Sequence, residues 1–326
     1  MWLKKLGCSM KTPTVNNLTA DLVVLLPAFN EAATICQTIE AFKAVLPTSQ
    51  IIVGDNNSTD NTSFLAKEAG AICLMESRPG KGFCVKTLFE YAPDADVYIL
   101  CDADNTYGLE NLNSSIQKLL AENYDFAIGR RVYSTPDSER KGHQSGNKLF
   151  RFLTGLITQQ DIKDPFSGFR LMTREYVQSI NVTSKGFEIE TELNLHGVFL
   201  GFNFFEFDSS YSSRPEGSHS KLRTLRDGFR ILAKLGNWYR VFFPKRVGLA
   251  ISGFFIVAGS VLLLRVVEEF LRTGLVTYIP SAIFGIGSVL VGFAFLNTFI
   301  VLSAIARVNR DLSRYHAKSI SYLRKH

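Results

Sequence analysis

Asp102 and Asp104 stand one residue apart in YILCDADNT, directly after an apolar run. Two carboxylates so spaced at a strand end suit a hard divalent cation, Mg²⁺ or Mn²⁺, shared with a diphosphate. Carboxylates fix the ion on one side, phosphate oxygens take the other, and charge developing on a leaving group is stabilised. A capped turn shows the same short pattern, so its company matters. PAFNE at 27–31 and GDNNSTDNT at 54–62 lie upstream, and Asp55 in the second can accept a hydrogen bond from a base N–H. Arg131, Arg214 and Lys221 suit phosphate, the arginines through a planar fork and the lysine as a compact charge. Each taken singly reads equally as a solvated surface charge. Asp164, just before the PFSGFR turn, is a candidate for shaping a reacting centre, or for capping that turn. The five histidines show no ligand spacing.

These groups need a scaffold, and the first half of the chain supplies its pattern. LVVLL at 22–26, QIIVGD at 50–55, AICLM at 71–75 and DVYILCDAD at 96–104 read as strands. Stretches over about 31–45, 61–69 and 81–91 read as helices. The alternation predicts βαβ units and a mostly parallel sheet covered on both faces. Ligands of such sheets sit beyond the carboxyl ends of the strands, where PAFNE, GDNNSTDNT and DADNT all fall. Beyond Gly129 the text is less regular, with SERKGHQSGNK at 138–148, DPFSGFR at 164–170 and KGFEIETEL at 185–193.

The chain has 326 residues, 36 Lys or Arg against 30 Asp or Glu, and 46% apolar residues, which excludes a disordered chain and a single minimal domain. Val247–Leu264 and Thr273–Ala306 contain no charged residue, and each is long enough to cross roughly 30 Å of hydrocarbon. Before them, Leu222, Leu225, Phe229 and Leu232 recur at helical spacing beside Arg223, Arg226, Arg230 and Lys234, predicting an amphipathic interfacial helix. The tail from Arg307 to His326 holds six Lys or Arg and one Asp. Basic charge gathered there, rather than spread over a folded domain, points to a membrane surface and away from nucleic acid. The positive-inside rule places the first domain and both termini in the cytoplasm, with a short link at Arg265–Arg272 outside. Five cysteines without C-x-x-C, and no apolar leader segment between Met1 and Asp21, fit a reducing cytosol. The expected organisation is an extension at 1–20, a catalytic domain at 21–220, amphipathic juxtamembrane helices at 221–246, two transmembrane helices at 247–306 and a basic tail at 307–326.

From Asp21 to Arg246, with the trailing spans, the sequence resembles the inverting glycosyltransferases of the GT-A fold, family 2, and among them the polyprenyl-phosphate sugar transferases. VVLLPAFNE resembles the opening strand and nucleotide loop, which implies Pro27, Asn30 and Glu31 in the base and ribose pocket. GDNNSTDNT corresponds to a D-D-G-S-x-D segment with Asp55 on the base, Asn56 and Asn57 replacing the usual Asp-Gly. GKG at 80–82, with Lys81, and DADNT, with Asp102, Ala103 and Asp104, complete the implied nucleotide-sugar side. GRR at 129–131, DPFSGFR and GFEIETEL resemble acceptor-side segments. RPEGSHSKL resembles an R-x-x-G-x-S-K loop with one residue inserted. The resemblance thus implies Arg131, Arg170, Arg214, Ser220 and Lys221 for phosphate or acceptor, and Asp164, Asp104 and Arg131 for catalysis.

The resemblance implies inverting transfer of a hexose from a UDP- or GDP-sugar to a polyprenyl phosphate, at the cytoplasmic membrane face and with a divalent cation. It leaves a homo-oligomer open. A glycolipid synthase acting on a neutral lipid hydroxyl, with Asp164 as base, and a non-catalytic membrane partner of a glycan assembly complex are the competing readings. A processive synthase would carry an Arg-Trp acceptor motif, and the sequence contains no Arg-Trp pair.

Overall fold

The computed structural model describes residues 20–133, 160–212 and 244–325, with parts of 151–158 and 233–240. Arg214, Ser220 and Lys221, the charged stretch 138–148 and most of the amphipathic stretch 221–246 lie outside the described residues.

The strand and helix pattern of the first half folds as its periodicity requires. β1 (Leu22–Ala28), α1 (Ile35–Val45), β2 (Gln50–Asp55), α2 (Thr62–Glu68), β3 (Ile72–Met75), α3 (Lys81–Tyr91) and β4 (Val97–Leu100) alternate along the chain. They are followed by α4 (Leu112–Ala121), β5 (Phe126–Tyr133), β6 (Arg170–Thr173), α5 (Arg174–Ser179), α6 (Ile189–Leu200) and β7 (Phe204–Tyr211). The strands form one seven-stranded sheet in the order β3-β2-β1-β4-β6-β5-β7, in which only β6 runs antiparallel to its neighbours. β1 shows why the sheet is covered twice. Val24 and Leu26 enter one apolar cluster with Ile35, Ile39 and Ile116 of α1 and α4, while Val23 and Leu25 enter another with Val85, Leu88 and Leu193 of α3 and α6. Alternate residues of a strand face opposite sides, so an unbroken apolar run is buried on both faces.

α1 starts at Ile35, four residues later than the pattern predicts. Glu31 to Thr34 form a turn whose Glu31 carbonyl accepts from the Thr34 and Ile35 N–H groups.

Two long helices close the chain, α7 (Pro244–Thr273) and α8 (Ile279–Lys325). The segments Arg246–Thr273 and Ile279–Asn309 are long and apolar enough to cross a membrane, and most of their side chains are exposed. Small residues let the two backbones approach. A Cβ on Gly259 would lie 2.6 Å from the Gly285 carbonyl oxygen, and the Ser288 hydroxyl donates to the Phe255 carbonyl across the pair at 2.7 Å. The charged stretch Arg265–Arg272, expected as a short external link, forms the last part of α7. Its Arg, Glu and Leu residues are good helix formers, and Glu268 and Arg272 pair at 2.6 Å one turn apart. The basic tail is helical as well: Arg307 to Lys325 continue α8 without a break. Gly248 near the start of α7 lies against Phe299, so the last turns of α8 run past that start, and α8 contacts α5 and α6 of the first domain.

Candidate active site

Strands β1, β2, β4 and β5 all point their carboxyl ends the same way, and the sequence-predicted groups collect there. Ala28 pairs in register with Asp55, and Leu100 with Arg170. Each of the three polar loops turns on an asparagine in the left-handed region: Asn30 at φ 52°, Asn57 at φ 59° and Asn105 at φ 54°. Asparagine tolerates this conformation better than other side-chain-bearing residues, which explains how Asn57 replaces the glycine usual in the resembled motif. Its neighbour Asn56 donates to the Glu76 and Arg78 carbonyls and accepts from the Gly80 N–H at 2.7 Å, ties that an aspartate could not make in full. Asn56 therefore fastens the second loop to the start of α3.

That fastening delivers Lys81. Gly80 has φ +138°, and its missing side chain matters, since a Cβ there would meet the Lys185 carbonyl oxygen at 2.1 Å. The Lys81 ammonium sits 2.5 Å from Asp102 Oδ1 and 2.7 Å from Glu190 Oε1. Burial alone would depress its pKa, but the two carboxylates hold it above the ordinary lysine range. Glu190, on α6, is a site residue that single-residue reading missed. GFEIETEL resembles an acceptor-side segment, and only the fold, which sets Glu190 2.7 Å from the Lys81 ammonium, singles out this carboxylate.

Asp102 is further confined by Gly168, which the antiparallel β4–β6 pairing brings opposite. A Cβ on Gly168 would lie 2.4 Å from Asp102 Oδ2. Asp104 is buried, not at an exposed strand end, and its Oδ1 accepts from the Thr106 hydroxyl at 2.6 Å. Ala103 is buried between them, its carbonyl accepting from Thr34 and Thr38. Among the described residues no group of three or more acid, His or Cys side chains could enclose a metal by itself. Two carboxylates fit a hard cation whose other ligands are diphosphate oxygens and water, and the ammonium already resting on Asp102 shows that positive charge is accommodated there.

On β5, which β6 separates from β4, Arg131 grips Asp164 in a fork, Nε to Oδ2 at 2.8 Å and Nη2 to Oδ1 at 2.7 Å. Its backbone N–H adds a third bond to Asp164 at 3.1 Å, and its guanidinium lies over the Tyr211 ring. Asp164 is in turn set by Glu206 of β7, whose Oε1 accepts from the Lys163 and Asp164 N–H groups. Arg170 departs from expectation. It is fully buried, with Nη1 bonded to Asn194 and Nη2 to the Glu190 carbonyl, so it braces α6 rather than meeting an acceptor. Pro27 is half-buried in β1, Asn30 Oδ1 accepts from the Thr59 N–H at 2.7 Å, and buried Glu31 accepts from Thr34. Asp55 is 1% exposed and its Oδ1 has no hydrogen-bond partner among the described residues, an acceptor able to take a donor.

The loop between β3 and α3 carries a titration that stability will report. Glu76 accepts from Arg78 Nε and Nη2 and from the Thr87 hydroxyl. The Arg78 guanidinium holds its carboxyl down, from 4.5 to about 2. A carboxylate with a lowered folded-state pKa contributes stability that is complete above its unfolded value and is lost as pH falls through the folded one. Glu76→Gln should therefore lower stability at pH 7 by about 1–2 kcal/mol, water screening the half-exposed Arg78 partner, with the gap to wild type closing between pH 4.5 and 2. Thermal melts of the detergent-solubilised protein across that range check this.

Comparison with known proteins agrees with this architecture. The family described as Glycosyl transferase family 2 matches residues 23–180. "Glycosyltransferase AglJ" of Haloferax volcanii is 33% identical over 219 residues, covering 67% of this chain and 72% of that relative. The chain belongs to glycosyl transferase family 2. Other family relatives include the "Dolichyl-phosphate hexose transferase" of Haloferax volcanii, 25% identical over 60% of this chain and 84% of its own. The "Polyprenol monophosphomannose synthase" of Mycolicibacterium smegmatis is 25% identical over 63% of this chain and 82% of its own. Among solved structures, glucosyl-3-phosphoglycerate synthase from Mycobacterium tuberculosis, in complex with Mn²⁺, UDP-glucose and phosphoglyceric acid, superposes with a TM-score of 0.52 at 21% identity. That match covers 68% of this chain and 80% of the synthase, and it shows the GT-A-like fold.

Proposed function

We propose that this family 2 transferase moves a hexose, with inversion, from a UDP- or GDP-sugar to a polyprenyl phosphate at the cytoplasmic face of a membrane. The observation that carries the reading is the union, in one chain, of a carboxylate and lysine cluster beside a forked arginine with a long apolar helix pair. Relatives whose names specify a dolichyl-phosphate and a polyprenol acceptor support it. The Mn²⁺ and UDP-glucose in the synthase complex support a divalent cation and a nucleotide-sugar donor.

The donor lies across the strand ends. Asp55 Oδ1 accepts from a base N–H, and Pro27, Asn30 and Glu31 border base and ribose. Lys81 faces the diphosphate. A divalent cation held by Asp102 and Asp104, when bound, neutralises charge developing on the leaving diphosphate. The acceptor needs little activation, because a phosphomonoester has a second pKa of about 6 and is an anionic nucleophile at neutral pH. Its oxygen forms a bond to the anomeric carbon as the bond to the nucleoside diphosphate breaks. Arg131 holds the acceptor phosphate, and Arg214, Ser220 and Lys221 complete the phosphate-binding set. Asp164 positions Arg131. Both of its oxygens already accept from that guanidinium, which leaves it poorly placed as a general base and disfavours the hydroxyl-acceptor alternative. α7 and α8 anchor the domain, and the Lys and Arg residues near their cytoplasmic ends set its orientation.

The testing experiment is a panel of radiolabelled UDP- and GDP-hexoses with undecaprenyl phosphate and purified full-length protein. One donor is expected to carry label into the organic phase in a cation-dependent way. No transfer from any donor would sink the proposal.

A further inference from the structure

The Lys81 ammonium touches both Asp102 and the Glu190 carboxylate of α6. It lies 2.5 Å from Asp102 Oδ1 and 2.7 Å from Glu190 Oε1, in a pocket where the three side chains are 10, 24 and 10% exposed. Two carboxylates converging in such a place repel each other unless a positive charge lies between them. The lysine supplies it when no metal is present. A divalent cation bound to Asp102 would stand beside that ammonium at a separation where like charges repel strongly in a partly dry site. The two therefore compete for that carboxylate.

The surroundings show which partner is fixed. Asp102 is hemmed in by Gly168 on its Oδ2 side. Glu190 is anchored through its backbone, whose carbonyl accepts from buried Arg170 at 2.9 Å, while Arg170 bonds Asn194 and Asn194 donates to the Pro165 carbonyl. Lys81 hangs on a flexible stem and can leave Asp102 while staying on Glu190.

We propose that Lys81 is a built-in occupant of the cation site, competing with the divalent ion for Asp102, and that Glu190 is the seat to which it withdraws. The cation and the lysine then exchange on one carboxylate, so that the ammonium is released from Asp102 when the ion and the donor diphosphate arrive together. Glu190 is thus a positioning residue acting through Lys81. The inference rests on the assignment of Asp102 and Asp104 to the cation.

The test is Mn²⁺ binding to the full-length, detergent-solubilised protein without nucleotide, followed by calorimetry and by the Mn²⁺ electron paramagnetic resonance signal. Lys81→Met should tighten Mn²⁺ about tenfold or more by removing the competitor, although it weakens the donor. Glu190→Gln should loosen Mn²⁺ roughly threefold to tenfold, because Lys81 is then left with Asp102 as its sole carboxylate. The double variant distinguishes a seat from a general negative charge: it should bind Mn²⁺ like Lys81→Met alone. Unchanged or weaker binding by Lys81→Met, or the same loss from Glu190→Gln in both backgrounds, would overturn the proposal. Should Lys81→Met not fold, Glu190→Gln decides alone, weaker binding supporting the exchange and equal or tighter binding refuting it. Asp104→Asn separates the two levels. Loss of Mn²⁺ in that variant keeps the cation assignment standing whatever Lys81 does, whereas wild-type Mn²⁺ affinity there would remove the assignment and the proposal together.

Discussion

Asp104→Asn is expected to lower transfer about 10³-fold, the scale of several kcal/mol of transition-state charge stabilisation. The fold should survive. Asp104 is 1% exposed, and its Oδ1 accepts from the Thr106 hydroxyl and N–H. An asparagine keeps that oxygen and its partners while losing the charge that a cation requires. Thermal melting should therefore move little, and excess Mg²⁺ or Mn²⁺ should not restore the rate. A near-normal rate in the variant would remove Asp104 from the cation site.

Gly168→Ala tests the geometry rather than the charge. The added Cβ would stand 2.4 Å from Asp102 Oδ2 and 2.7 Å from its Cγ, far inside contact distance. Something must move. The backbone at Gly168, two residues before β6, is held by its N–H bond to the Tyr107 hydroxyl at 2.9 Å and by the β4–β6 ladder that begins at Arg170, so the Asp102 side chain gives way. A ligand carboxylate displaced by about 1 Å costs on the order of 10² in rate. The expected result is a folded protein with kcat reduced about a hundredfold and with weakened Mn²⁺ binding. Retention of both would show that Asp102 has slack and that its position is not critical.

Gly168 also marks the boundary of what the sequence discloses. The apolar runs of β1, β2 and β4 and the helices between them follow from local periodicity, and with them the loops that carry Asp55, Lys81, Asp102 and Asp104. The partners of those residues do not. Gly168 reaches Asp102 through an antiparallel strand contributed from far along the chain, and Glu190 reaches Lys81 from α6. In α6, polar Glu190, Thr191, Glu192 and Asn194 are all buried. Linear text does not show that Glu190, Glu192 and Asn194 find partners inside. Glu192, for instance, accepts from the Ser184 N–H at 2.7 Å. Arg170 illustrates the converse error. An arginine in a loop-like motif reads as a phosphate ligand, and only the fold shows it inside, bonded to Asn194. The continuous α8 was hidden for another reason: charge density marks where a membrane span ends but not where a helix ends, because Lys, Arg and Leu continue a helix readily.

In the proposed reaction an already ionised lipid phosphate is the nucleophile, and no protein carboxylate serves as its base. The most direct measurement compares undecaprenyl phosphate with undecaprenol, at equal concentration in the same detergent, as acceptors for the donor that the panel selects. Label should pass to the phosphate and not to the alcohol, and the rate with the phosphate should fall on acidification as its second proton returns near pH 6. Transfer to undecaprenol at a comparable rate would contradict the account and give Asp164 the role of base.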